Sequence, residues 1–172
     1  DVNAAVARLG RARITRAQGD TALALELSAS AGRSLGSAGN RVGVSDALFQ
    51  LGEVARLADD LDRAELHYRK AARGYREIGS HHRLEAEMKL AMVLVEREAY
   101  LESRLLLEQL LSVARTRENR RMVATLHLLL AICCSLAPSC GPVVVACLWL
   151  IAAPVVAAAA CCVSGLLCYC CC

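Results

Sequence analysis

The chain repeats itself. Leu9-Gly10 recurs 42 residues later as Leu51-Gly52, and the same offset carries Ala22 onto Ala64, Ala29 onto Ala71 and Gly19-Asp20 close to Leu61-Asp62. A third copy sets Leu90-Ala91 in the Leu-Gly place and Ser103, Leu107 and Leu110 in the places of Ala64, Tyr68 and Ala71; a fourth begins at Leu130-Ala131 as the period drifts to about 40. A period of this length limits the fold more than composition does. One unit is a single supersecondary element that cannot bury its own apolar face, so neighbouring units have to stack on one another.

Within each unit the apolar spacing is helical. Ala47, Leu48, Leu51, Val54, Ala55 and Ala58 recur at three- and four-residue steps. The Asp59 to Asp62 stretch interrupts them and supplies an N-cap, and Ala64, Leu66, Tyr68, Ala71, Ala72, Tyr75 and Ile78 resume the stripe until Gly79-Ser80 ends it. The third unit repeats the pattern, from Leu84, Met88, Leu90, Ala91 and Leu94 through a junction near Glu98 to Tyr100 into Leu101, Leu105, Leu106, Leu110, Leu111 and Ala114. Only six residues are aromatic, which argues against a sheet, where aromatic and β-branched residues concentrate. The fold expected is all-α. Small residues in the first helix of each unit and at the start of the second let two helices cross closely, while Tyr68 and Leu107 fill the gap to the next unit.

The stretch from Ala64 through Tyr68 to Ala71, with Leu51-Gly52 before it and Tyr75 after it, resembles the tetratricopeptide repeat. The first unit keeps Leu9-Gly10, Ala22 and Ala29 but has Glu26 in the place of Tyr68. The likeness covers roughly residues 3 to 136 as units 3–42, 43–82, 83–119 and a partial 120–136. The long period and the run from Tyr75 to Gly79 are similar to the repeat regions attached to large bacterial signalling ATPases, transcription regulators and serine/threonine kinases. The resemblance implies a helix-turn-helix solenoid acting as a protein-protein interaction module, a regulatory part of such a larger protein. In that family the first helix of each pair lines a concave groove that holds a protein or peptide ligand. The matching positions here are Arg11 and Ile14 in the first unit, Phe49, Glu53 and Arg56 in the second, and Glu85, Met88, Met92 and Glu96 in the third. Their mixed charge predicts no preference for a strongly acidic or basic ligand, and they lack the several groove-facing Lys or Asn of the carboxylate-clamp subset.

The charged and apolar residues are unevenly divided. All acidic and basic residues lie between Asp1 and Arg121, and all ten cysteines between Cys133 and Cys172. With no cysteine before Cys133, the repeats need no oxidising compartment, no secretory signal is visible in the first residues, and the cytoplasm is the expected location. The apolar, cysteine-rich stretch 137–172 admits three readings: a transmembrane helix, an apolar helix docked on the open end of the stack, or the product of a shifted reading frame in GC-rich DNA. Val143 to Leu167 is long enough to span ~30 Å of hydrocarbon, and Arg115, Arg117, Arg120 and Arg121 upstream of it would leave the repeats in the cytoplasm. The alternative function is therefore a membrane-tethered scaffold, with the membrane a partner only if that helix is genuine.

Chemistry is sparse. There is no phosphate-binding glycine loop, no GxSxG, no HExxH and no kinase HRD or DFG triplet, so an enzyme is not expected and neither a catalytic residue nor a cofactor is assigned. Although Cys133, Cys140, Cys147, Cys161 and Cys168 fall at multiples of seven, no two CxxC pairs at a defined separation and no later histidine accompany them, so no metal is assigned either. A net charge of +3 with both signs interleaved lacks the basic stripe that nucleic acid requires, which makes a nucleic-acid binder the weakest of the readings.

Overall fold

The computed structural model describes residues 1–136; the stretch 137–172, with its three readings, lies outside the described residues. Seven helices follow one another: α1 (Val2–Ala17), α2 (Thr21–Ser37), α3 (Arg41–Leu57), α4 (Leu61–Glu77), α5 (Arg83–Glu96), α6 (Tyr100–Thr116) and α7 (Arg120–Leu136). Among the described residues there is no strand, and no helix is long and apolar enough to cross a membrane. The described residues divide into two compact units, Asp1–Ala99 and 100–136. In the first, each of α1 to α4 packs on the helix that follows it, and α1 also lies against α3; in the second, α6 packs on α7. This is the all-α, hairpin-after-hairpin architecture expected of a helical repeat.

The turns set the spacing. Gly19, Gly39, Asp59, Gly79, Glu98 and Glu118, about twenty residues apart, all hold positive φ. The residue after each returns its N–H to a carbonyl five positions back, from Asp20 to Thr15, Asn40 to Leu35, Asp60 to Ala55, Ser80 to Tyr75, Ala99 to Leu94 and Asn119 to Ala114, at 2.8–3.1 Å. That bond satisfies carbonyls a helix end leaves orphaned. At four of the six turns the same residue then caps the next helix. Asp20, Asn40, Asp60 and Asn119 accept from the N–H three residues on at 2.9–3.1 Å.

This spacing corrects the register of the first unit. Gly10 and Ala22, equated by the 42-residue offset with Gly52 and Ala64, are exposed, as is Glu26, whereas Ala12, Ala24, Ser28, Ala31 and Leu35 are buried. An offset of 40 maps those five onto Gly52, Ala64, Tyr68, Ala71 and Tyr75, all buried. In the third unit the expected Ala91, Ser103, Leu107 and Leu110 are buried, joined by Ala114. Apolar periodicity within one helix survives a two-residue slip on short Ala-rich stretches; the turn spacing does not.

Close approach explains the small residues. A Cβ on Gly52 would stand 2.8 Å from Tyr68 Cε1, and one on Gly74 would stand 2.3 Å from Ser45 Oγ, so α3 and α4 touch where one side contributes only hydrogen. Ala5, Leu9, Ala31, Leu35 and Ala47 form one core cluster across α1, α2 and α3, and Ala71, Ala72, Tyr75 and Ala86 another across α4 and α5. A side chain such as Leu35, fully buried, contributes about 1.5–3 kcal/mol by leaving water. In the second unit Leu107, Leu110, Leu126, Leu130 and Cys133 are buried, and the Cys133 thiol donates to the Tyr100 carbonyl at 3.1 Å.

Candidate functional site

Along α3, Asp46, Phe49, Gln50, Glu53 and Arg56 recur at three- and four-residue steps and therefore share one face. The first half of that face borders a groove of about 330 Å³. Val6, Leu9, Gly10 and Arg13 of α1 form one wall and His82 and Glu85 at the start of α5 close the other end, while Gly43 and Tyr75 also line it. All of it lies within the first unit.

At the second half of the face, Glu53 is only 4 % exposed. Its Oε2 meets Arg16 Nη1 of α1 at 2.8 Å, and its Oε1 accepts from the Tyr68 hydroxyl of α4 at 2.7 Å and from Lys89 Nζ of α5 at 3.0 Å. Burial alone would raise the Glu53 pKa, but the Tyr68 hydroxyl, Lys89 and Arg16 outweigh it and hold the carboxyl below the usual range. Tyr68 responds in the opposite sense. Burial, then its bond to the Glu53 carboxylate, pushes the phenol far above its ordinary value. One buried carboxylate on α3 thus ties that helix to three others, α1, α4 and α5.

Tyr75 repeats the arrangement one step away. Its hydroxyl donates to Asp46 Oδ1 at 2.6 Å, its ring lies 5.7 Å from that of His82, and burial with the Asp46 bond raises its pKa strongly. Phe49 stands edge-on to Tyr68 at 5.6 Å between ring centres. Gln50 is 8 % exposed, and its Oε1 is buried without a hydrogen-bond partner.

Of the nine residues expected on the inner face, Phe49 and Glu85 line this groove. Arg11 and Ile14 are exposed on α1 and are not among its lining residues, as their two-residue displacement from Arg13 and Arg16 dictates. Glu53 is engaged as described, Arg56 pairs with Glu96 at 3.5 Å, and Met88 and Met92 are half-buried on α5. The sequence reading missed Arg13, Asp46, Gln50, Tyr75 and His82. An offset of 40 would have found Arg13 from Glu53, and the helical face through Phe49 would have found Asp46 and Gln50.

Among the described residues no group of three or more His, Cys, Asp and Glu is placed to hold a metal ion. No family model matches the chain, and no curated protein matches it significantly.

Proposed function

We propose that this chain is a protein-protein interaction module of the tetratricopeptide class, not an enzyme, holding a peptide or a partner's helix in the groove along α1, α3 and α5. The observation that carries the reading is the groove itself: successive hairpins each contribute their first helix to one lining, and polar side chains alternate there with Phe49, Val6 and Leu9. A surface of this kind recognises an extended segment through spaced side-chain contacts. The cytoplasm is the proposed location and a larger bacterial signalling protein the proposed setting, on the strength of the repeat likeness and the cysteine-free charged region.

Gly10 supplies the test, because it lines the groove and a Cβ there meets nothing within 4 Å. Gly10→Tyr should plug the groove without disturbing the helix. Peptides selected from a random displayed library on the full-length chain should lose about tenfold or more in affinity for this variant, as loss of a central contact cluster does, while its circular-dichroism spectrum is unchanged. Selected peptides that bind Gly10→Tyr as tightly as the parent would refute the proposal.

A further inference from the structure

The α3–α5 end of the groove gathers acceptors around aromatic rings. Asp46 and Gln50 stand one helical turn apart on α3, and Glu85 faces them from the first turn of α5, with Phe49, Tyr75 and His82 lining the same space. Tyr75 holds the Asp46 carboxylate by Oδ1, which leaves Oδ2 as the remaining acceptor. Glu85 is about half exposed, its Oε2 standing 3.9 Å from His82 Nδ1. Gln50 is a separate observation that points to a ligand: its Oε1 has been taken out of water and receives no donor. An acceptor in that state is unfavourable, and native proteins rarely keep one without a reason. Carboxylates beside an unpartnered amide oxygen and flat apolar rings match one side-chain chemistry, a cation carrying several N–H donors that also stacks on aromatic faces. Other acid–base partnerships nearby are already made, with Lys89 and Arg16 on Glu53 and with Arg76 and Arg83 on Glu87.

We propose that Asp46, Gln50 and Glu85, with the Phe49 and Tyr75 rings, form a subsite for an arginine side chain of the bound peptide. The subsite rests on the groove reading above and adds a specificity to it that the mixed charge of the sequence-matched positions does not suggest. Arginine fits better than lysine, because its planar fork can serve a carboxylate and, once the Gln50 side chain turns toward the groove, its amide oxygen. Arg13, across the groove on α1, opposes the incoming charge, so its removal tightens binding.

The test is a titration of the full-length chain with N-acetyl-arginine amide, followed by the nitrogen-proton spectrum of the Gln50 side-chain amide and the ring signals of Phe49 and His82. N-acetyl-norleucine amide and N-acetyl-glutamate amide serve as controls. The expected result is saturable, millimolar binding of the arginine probe, with weaker response to either control. Glu85→Gln, at an exposed position that leaves the fold intact, should weaken it about two- to fivefold. Gln50→Leu should weaken it about three- to tenfold, and Arg13→Gln should strengthen it. Equal binding of norleucine amide, preferred binding of the glutamate probe, no shift up to the solubility of the arginine probe, or an affinity unmoved by Glu85→Gln would each overturn the subsite. The two proposals fail separately. Groove-dependent peptides without arginine enrichment would leave the interaction module standing and remove the subsite. Arginine-amide binding with no peptide sensitive to Gly10→Tyr would remove the peptide groove and leave only a site for a free guanidinium.

Discussion

Two glycines that look alike in the sequence should respond to the same substitution with opposite signs. Both Gly10 and Gly52 follow a leucine inside a helix, and replacing an interior helical glycine by alanine ordinarily stabilises by about 0.5–1 kcal/mol. At Gly10 a new Cβ meets nothing within 4 Å, so that gain stands alone. At Gly52 the Cβ would fall 2.8, 2.9 and 3.1 Å from three atoms of the Tyr68 ring, against the 3.4–4 Å of ordinary contact. The ring cannot yield cheaply: it is fully buried, has Phe49 against it and is pinned through its hydroxyl to Glu53 at 2.7 Å. Overpacking of this kind costs about 1–3 kcal/mol. Subtracting the helical gain leaves Gly52→Ala destabilised by up to about 2.5 kcal/mol, toward the upper end because three ring atoms are met at once. Urea unfolding followed at 222 nm reads both values at unchanged slope. In a Tyr68→Leu background the Gly52→Ala penalty should shrink by about 1 kcal/mol or more, a coupling typical of residues in contact. If the two glycine variants shift stability in the same direction, the 40-residue register and the α3–α4 contact built on it are wrong.

Glu53→Ala strands the buried Tyr68 hydroxyl and two cations and should cost about 3–5 kcal/mol in urea unfolding, whereas Glu53→Gln, which keeps an acceptor for Tyr68, should cost less than half of that. Because the Glu53 pKa is lowered by folding, its contribution is full above the ordinary carboxylate range and is lost as pH falls through the folded value. His67 is lowered too, first by burial and then by Lys70 and Arg63, so its share fades as pH drops below 6.5; stability measured between pH 7 and 3 should fall in both windows. Tyr68 and Tyr75 are raised, so their contribution is complete below pH 10 and is lost above it. Absorbance at 295 nm should show these two phenols ionising only together with the loss of helical signal, and independent titration of either would contradict the bonds to Glu53 and Asp46. Glu118 sits at φ 52, where a Cβ is unfavourable, so Glu118→Gly should raise the unfolding midpoint by the equivalent of about 1 kcal/mol.

The helical hairpins were legible because the apolar stripes of α3 through α6 have the right period and are bounded by capping residues. The register of the first hairpin was not. Leu9-Gly10 matches Leu51-Gly52 by letter, yet Ala12 is the residue that takes the Gly52 position, and an alanine-rich helix offers several such matches at neighbouring offsets. The decisive signal was in the turns: Gly19-Asp20, Gly39-Asn40 and Gly79-Ser80 stand at multiples of twenty, a left-handed residue that in the first two is followed by a cap. Asp59, Glu98 and Glu118 occupy the same conformation without being glycine and so hide the period. Of the groove, Phe49 and Glu85 were found from the family likeness, but Gln50, Asp46 and His82 look like ordinary polar helix residues until three helices are set side by side.

Burial shows why the corrected register is the physically consistent one. Where the second helix of a hairpin presents a bulky ring, Tyr68, the first helix presents Gly52; where it presents the small Ser28, the first helix presents Ala12. The glycine opposite the ring offsets only part of its bulk, and the rest of the space is taken from the neighbouring side chains, as close-packed interiors require. The Tyr68 hydroxyl then reaches Glu53, the residue beside that glycine, so the close approach and the charge network depend on each other. A side chain at Gly52 would push the ring from Glu53 and break the hydroxyl's bond to that carboxylate. The same α3 face carries Gln50 and Asp46 one and two turns back from Glu53, which is why the groove opens where the network stops: the carboxylate draws α1 and α5 toward α3 at one end, and the space left at the other is lined by the polar groups it does not use.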